Sequence, residues 1–374
     1  MFATRLAFRR RPPDDARPVA IRPDQRAHLR DPFVLGAVAS ATGAIRALGP
    51  RTTRPPLAAL GDLYTRLPLN RRRLDRATAN IRWCFPDLDE RAARAVARAS
   101  WRHLFLLGAE MSVGPRPYRF ACWPDWIEPP AAPDAVRTLL EGPAILVTGH
   151  CGNWELMGAW LGTLGLPIHA VYRPLDNRAL DGWVRRTRSR LGIDLVDKFG
   201  AFEIMPKILD RGEPVAFTAD QDAGEHGLFV PFFDRLASSY KSIGLLAIKY
   251  EIPVVCGGAV RVSHATDPLH LGPLRYRIHV ADVIHPQDWA DEPDPLFTIT
   301  ARYRRAIESL VRLAPEQFLW MQTPWRRRPR FQRRGRPTPS SLLAKLERLP
   351  WMTPASLARI VAASSSVQPE RPHR

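Results

Sequence analysis

An imidazole and a carboxylate five positions apart, His150 and Glu155 in VTGHCGNWELMG (residues 147–158), are the first residues in this 374-residue chain whose types and spacing could do chemistry. On a single α-helix, two residues five apart project about 140° from each other, because each residue advances about 100°. They can meet only if His150 lies in a strand-to-helix turn and Glu155 in the first helical turn. Gly149, Gly152 and the cap-type Asn153 favour that arrangement. A carboxylate that accepts the hydrogen bond of one ring nitrogen fixes the tautomer, leaves the other nitrogen as a base, and steadies the imidazolium once a proton is taken. That is general-base chemistry. A lone histidine after a strand is more often structural, so the spacing alone does not decide the matter.

The elements that must position this pair can be read on either side of it. Ala144 to Thr148 is a buried strand and Trp154 to Leu164 a helix, followed by a strand at Ile168 to Tyr172 and a basic helix at Leu180 to Leu191. Phe202 to Asp210 is helical, Val215 to Ala219 a strand, Ser242 to Tyr250 a helix and Pro253 to Val260 a strand. Such alternation predicts right-handed crossovers and a mainly parallel sheet in a three-layer α/β/α core, with ligands held at the carboxyl ends of the strands. A long helix from Asp87 to Met111 precedes this core. Residues 272 to 283 suggest an added edge strand, and Leu296 to Leu313 a closing helix.

Around the core we expect a disordered basic arm (1–30), an N-terminal helical segment (31–69) split by Pro55 and Pro56, a catalytic domain (70–325) and a basic tail (326–374) with two short helical patterns, Leu342 to Leu349 and Pro354 to Ala362. The formal charge of +18 favours anionic partners: nucleic acid, an anionic membrane face or an acidic carrier protein. Seven arginines between Arg326 and Arg336, beside Trp325 and Phe331, would suit phosphates, but they lie outside the strand-ordered core and in no known recognition fold. Cys84, Cys122, Cys151 and Cys256 form no CxxC pair, which points to a reducing compartment. The N-terminus meets Arg and Pro before any apolar stretch can form, so no secretory signal is expected. No segment reaches the about 20 apolar residues that span a bilayer; Phe33 to Ile45 could instead lie in the interface or pack on the domain.

Further residues could act at the strand ends. Asp220 and Asp222 in FTADQD could bind a metal, position sugar hydroxyls or cap a loop, and the loop role ranks first because only His226 lies nearby in sequence. Arg173 follows a strand at the same edge and is a candidate for phosphate contact. Cys151 raises the rival of a cysteine nucleophile, a thioesterase or amidase. Adjacent residues in a turning chain point apart, however, and no GxSxG elbow is present.

GHCGNWELMG, taken with VYRPLDN (171–177), RTRSRLG (186–192), ADQDAGEHGLFVPFFDRLASS (219–239) and PEQFLWM (315–321), closely resembles the late lauroyl/myristoyl acyltransferases of bacterial lipid A biosynthesis, within the lysophospholipid acyltransferase superfamily. The resemblance runs from NRRRLDRATANIRWCFPDLDE (70–90) to about residue 328. It implies a cofactor-free enzyme at the cytoplasmic face of the inner membrane, peripheral or monotopic. Such an enzyme moves a fatty acyl group from acyl carrier protein or acyl-CoA to a hydroxyl of a membrane glycolipid or lysolipid. By this resemblance His150 matches the catalytic histidine, Glu155 its acidic partner, and Arg188 and Asp220 two residues important for activity. Asn153, Arg173, Asp222 and Arg190 are then candidate substrate contacts, and the arginines around Arg188 could hold phosphate or pantetheine oxygens or developing negative charge. Where the family usually carries Trp/Phe-x-His-Arg-Arg, this chain has Gln322 and Thr323, which bears on the acceptor.

Overall fold

The computed structural model describes residues 31–113, 126–262 and 275–365. The expected arm 1–30, Cys122, His264, His270 and residues 366–374 lie outside them. Four helices come first: α1 (Asp31–Leu48), α2 (Pro50–Arg66), α3 (Arg71–Cys84) and α4 (Glu90–Val113). Strand β1 (Ile127–Glu128) and helix α5 (Pro133–Glu141) lead into an alternating run of β2 (Ile145–Thr148), α6 (Trp154–Thr163), β3 (Ile168–Tyr172), α7 (Arg178–Arg190), β4 (Ile193–Asp197), α8 (Ala201–Leu209) and β5 (Val215–Thr218). The hairpin β6 (Leu228–Phe232) and β7 (Arg235–Ser239) precedes α9 (Lys241–Tyr250), β8 (Val254–Arg261), β9 (Tyr276–Ile284) and α10 (Pro295–Leu313). Helices α11 (Arg330–Arg333), α12 (Ser340–Glu347) and α13 (Pro354–Ser365) follow.

Seven strands form one sheet in the order β1-β9-β8-β2-β5-β3-β4. The five from β8 to β4 run parallel, while β9 runs antiparallel to β8 and pairs in parallel with β1. The sheet is therefore mainly parallel, as the alternation of elements predicts. Its central strand β2 is buried along its whole length, which is why ILVT reads as an unbroken apolar run. Alternate side chains serve two cores. Ile145 and Val147 join α3, α8, α9 and α10 in one cluster, whereas Leu146 joins α5 and α6 in the other. This division makes the three layers.

Three local features depart from the sequence reading. The prolines do not split the N-terminal segment, because α2 runs through Pro55 and Pro56. Packing on α4 overrides the two missing amides. The Tyr64 ring lies 5.1 Å from Trp101 and 5.7 Å from Phe105, and Asp62 accepts two hydrogen bonds from Arg102 at 2.9 Å.

The β6–β7 hairpin carries no turn signature. Its two-residue loop, Phe233–Asp234, places both residues at positive φ (50° and 54°), a geometry usually given to Asn-Gly. Tertiary bonds impose it: the Phe233 amide donates to Glu308 (2.8 Å) and its carbonyl accepts from the Trp83 indole (2.7 Å).

Residues 326–365, the described part of what reads as a basic tail (326–374), form a packed cap. Leu346, Leu349 and Ile360 bury against Val230 and Leu236 of the hairpin and Phe297 and Ala301 of α10.

Candidate active site

His150 and Asp220 reach one another because β2 and β5 are neighbours in register. Thr148 pairs with Thr218, and the Ala219 amide donates to the Thr148 carbonyl (2.8 Å). The histidine and the aspartate each follow these threonines by two residues, so both sit just beyond the carboxyl ends of adjacent strands. The Asp220 carboxylate accepts both available donors, the His150 backbone amide at Oδ2 (3.0 Å) and the imidazole Nδ1 at Oδ1 (2.7 Å). Its side chain is 0% exposed and that of His150 19%. Burial opposes ionisation of Asp220, but the contacts with His150 and the charge of Arg304 outweigh it and hold the carboxyl below its ordinary range. An anion accepts and cannot donate, so Nδ1 carries a proton, and in the neutral ring the lone pair is on Nε2. The Trp154 ring meets the imidazole edge-on at 4.8 Å.

The turn between β2 and α6 is clamped from three sides. The Gly152 amide donates to the Gln317 carbonyl (3.1 Å), the Asn153 amide to the Ala259 carbonyl (2.7 Å), and the Leu319 amide to the His150 carbonyl (3.0 Å). Gly152 has φ +67°, and a β-carbon there would lie 2.0 Å from the Ala259 oxygen, so glycine is required.

The expected His150–Glu155 pair is corrected by this geometry. Among the described residues no hydrogen bond joins them. Glu155 is buried and turned to Arg188, which donates from Nε (2.9 Å to Oε2) and Nη2 (2.5 Å to Oε1), and the Trp154 indole donates to Oε1 (2.9 Å). One turn into α6, the carboxylate projects toward α7 rather than back across the turn. Burial works against the charge of Arg188, yet Glu155 more than compensates and raises its pKa. The guanidinium also lies 5.0 Å from the Tyr172 ring. The two residues thus form one unit, a bidentate ion pair between the buried Glu155 and the partly buried Arg188.

The remaining candidates fall in different places. Asn153 is buried (2%), capping α6 by accepting from the Leu156 amide (2.9 Å) and donating to Glu110 (2.8 Å), bonds that hold the turn in place. Asp222 accepts from the amides of Gly224 (2.9 Å) and Arg327 (3.0 Å) and from the Arg327 side chain (2.9 Å), which fits the loop-positioning role. Arg173 and Arg190 are exposed, and Arg190, two positions beyond Arg188, lies on another face of α7. Cys151 is buried, with its thiol directed to the Leu310 carbonyl (3.5 Å), and burial pushes its pKa far up. A neutral, enclosed thiol is no nucleophile. Cys151→Ser is therefore expected to retain turnover within about threefold while losing about 1 kcal/mol of stability, which a steady-state assay and a thermal melt together check. Among the described residues no group of three or more His, Cys, Asp or Glu could hold a metal ion.

Two features escaped the sequence reading. The first is the strength of the claim of Asp220. VTGH and FTAD share one pattern, a strand ending in Thr, a small residue and then the polar group, and that parallel is the signal that could have joined them. The second is a buried network behind the turn. Glu110 of α4 accepts from Arg261 and from the Tyr276 hydroxyl, and Arg261 also donates to Tyr276 (3.0 Å). Glu110 lies 151 residues from Arg261 and 166 from Tyr276, beyond the reach of any local motif.

The class that fold and site define is an α/β enzyme with a histidine–aspartate pair at the carboxyl edge of its sheet. Residues 24–327 match the family described as bacterial lipid A biosynthesis acyltransferase. The chain is 26% identical over 271 residues to the lipid A biosynthesis palmitoleoyltransferase of Escherichia coli (strain K12), covering 70% of this chain and 81% of that protein. It is 25% identical over 261 residues to the lipid A biosynthesis lauroyltransferase of the same organism, covering 67% and 78%. A shorter stretch of 110 residues is 27% identical to the phosphatidylinositol mannoside acyltransferase of Mycolicibacterium smegmatis, covering 28% and 36%. The chain belongs to the bacterial lipid A biosynthesis acyltransferase family, and it is an acyltransferase.

Proposed function

We propose that this enzyme moves a fatty acyl group from a thioester, carried by acyl carrier protein or coenzyme A, to a hydroxyl of a membrane glycolipid or lysolipid, with His150 as general base oriented by Asp220. The observation that carries this reading is the imidazole Nδ1 bound at 2.7 Å to a fully buried carboxylate, which leaves Nε2 as the base. Nε2 takes the proton of the acceptor hydroxyl as its oxygen attacks the thioester carbonyl, and the imidazolium, paired with Asp220, is stabilised in place. Collapse of the tetrahedral adduct breaks the C–S bond. The thiolate, with a pKa near ~8.5 if cysteine-like, leaves easily and recovers the proton from the imidazolium.

The Glu155–Arg188 ion pair fits a substrate-holding role. Glu155 occupies Nε and Nη2 of Arg188, so Nη1 is the group left for phosphate, pantetheine or developing oxyanion charge. The exposed Arg173 and Arg190 add positive charge nearby. Among the described residues no helix is long and apolar enough to cross a membrane. Instead Phe33 (79% exposed), Leu48, Leu63 and Leu69 stand out from the N-terminal helices, and Arg326, Arg330, Arg333, Arg334 and Arg336 are exposed on the C-terminal cap. Apolar and cationic groups together suit peripheral attachment to an anionic leaflet, at the cytoplasmic face of the inner membrane. Mass spectrometry of total lipids from cells with the gene, without it, and carrying His150→Ala tests the reading. One glycolipid or lysolipid class should lose a single acyl chain in both deficient strains; identical lipids in all three would overturn it.

A further inference from the structure

Burying a guanidinium is costly unless its donors are met, and Arg304 of α10 is a guanidinium that the chemistry above does not use. It is 0% exposed. Its Nη1 donates to the Ala219 carbonyl (2.9 Å), the residue immediately before Asp220, and its plane covers Phe232 at 4.1 Å from the ring centre. Its Nε and Nη2 have no hydrogen-bond partner among the described residues. The acid one turn along the helix does not serve it, because Glu308 is taken by Arg305, Arg312 and the Phe233 amide. The other anion in its surroundings is Asp220, whose two oxygens are both occupied by His150.

We propose that Arg304 is a positioning residue for acyl transfer: its charge keeps Asp220 anionic, and its bond to the Ala219 carbonyl fixes the backbone that carries that anion beneath His150. The proposal rests on the reading of His150 and Asp220 as the working pair. The arrangement is electrically consistent. Burial lowers the affinity of Arg304 for its proton while Asp220 works the other way, and the same attraction helps Asp220 stay ionised against complete desolvation. The other ionisable groups packed around the pair do not replace it. Tyr303 and Tyr240 are pushed up by burial and stay neutral, as does Cys151; Asp222 is engaged by Arg327; and Arg173 is exposed.

Removing a cation from this enclosed site makes proton uptake by the His150–Asp220 pair easier, whichever of the two receives the proton. The test is a pH titration of 13C-labelled histidine in the full-length protein by NMR, with His150→Gln identifying the His150 resonance. Arg304→Gln keeps an N–H for the Ala219 carbonyl and removes the charge, and Arg304→Lys keeps the charge. In Arg304→Gln the titration should move upward by about one pH unit or more, whereas Arg304→Lys should titrate with the wild type. A purely structural arginine gives a lower melting temperature and an unmoved titration, and that result overturns the proposal. Arg304→Met serves the same comparison if the glutamine variant does not fold. Asp220→Asn separates the two levels: if it too leaves the His150 titration unmoved, the pairing itself is wrong, and if it alone shifts the titration, only the role of Arg304 is lost.

Discussion

Asp220→Asn should lower turnover about a thousandfold while leaving the fold intact. The reason is the double acceptance at this carboxylate. Asp220 takes the His150 amide at one oxygen and the imidazole Nδ1 at the other. An asparagine has one oxygen and one NH2 for the same two positions. The backbone N–H can only donate, so it claims the oxygen and turns the NH2 toward the ring. The imidazole then adopts the opposite tautomer, with Nε2 protonated and no base facing the acceptor hydroxyl. Single-turnover kinetics with the donor thioester checks this. Glu155→Gln should behave differently, because it breaks a buried ion pair with Arg188 and so costs about 3–5 kcal/mol of stability, with a catalytic loss arising through the displaced arginine. If the effects of the two substitutions were reversed, with Asp220→Asn harmless, the mechanism proposed above would fall.

His150→Ala and His150→Gln should both abolish general-base catalysis, again on the order of a thousandfold, but they should differ in stability. Alanine leaves Asp220 buried with only the backbone amide as a direct donor, and the unmet oxygen costs about 1–3 kcal/mol. Glutamine can place an amide N–H near the same oxygen and recover part of that loss. A chemical denaturation series on wild type and both variants reads the difference, while the activity assay should rank the two alike. Retention of near wild-type turnover by either variant would mean that another group takes the proton.

The strands and helices around the site were legible because each carries a local period. β3 is read residue for residue from IHAVY, and α6, α7, α9 and α10 fall within two residues of their expected ends. What was not legible was adjacency. β2 and β5 are separated in the chain by α6, β3, α7, β4 and α8, yet lie side by side, because the sheet order places β5 between β2 and β3, with β4 beyond β3. A carboxylate five positions from the histidine therefore looked nearer than one seventy positions away. The same limit hid the Phe233–Asp234 turn, whose positive φ angles are set by Glu308 and Trp83 and not by its own residues. His150, Arg188 and Asp220 were each singled out from the sequence; which carboxylate each of the two bases meets was decided by sheet order and by the direction in which the first turn of α6 projects Glu155.

The tautomer of His150 tests the central claim without any substrate. In long-range 15N–1H spectra of the full-length protein at neutral pH, the His150 ring should be protonated at Nδ1 and unprotonated at Nε2, and this pattern should invert in Asp220→Asn and persist in Glu155→Gln. An Nε2–H ring in the wild type, or a pattern that responds to Glu155 and ignores Asp220, would contradict the account.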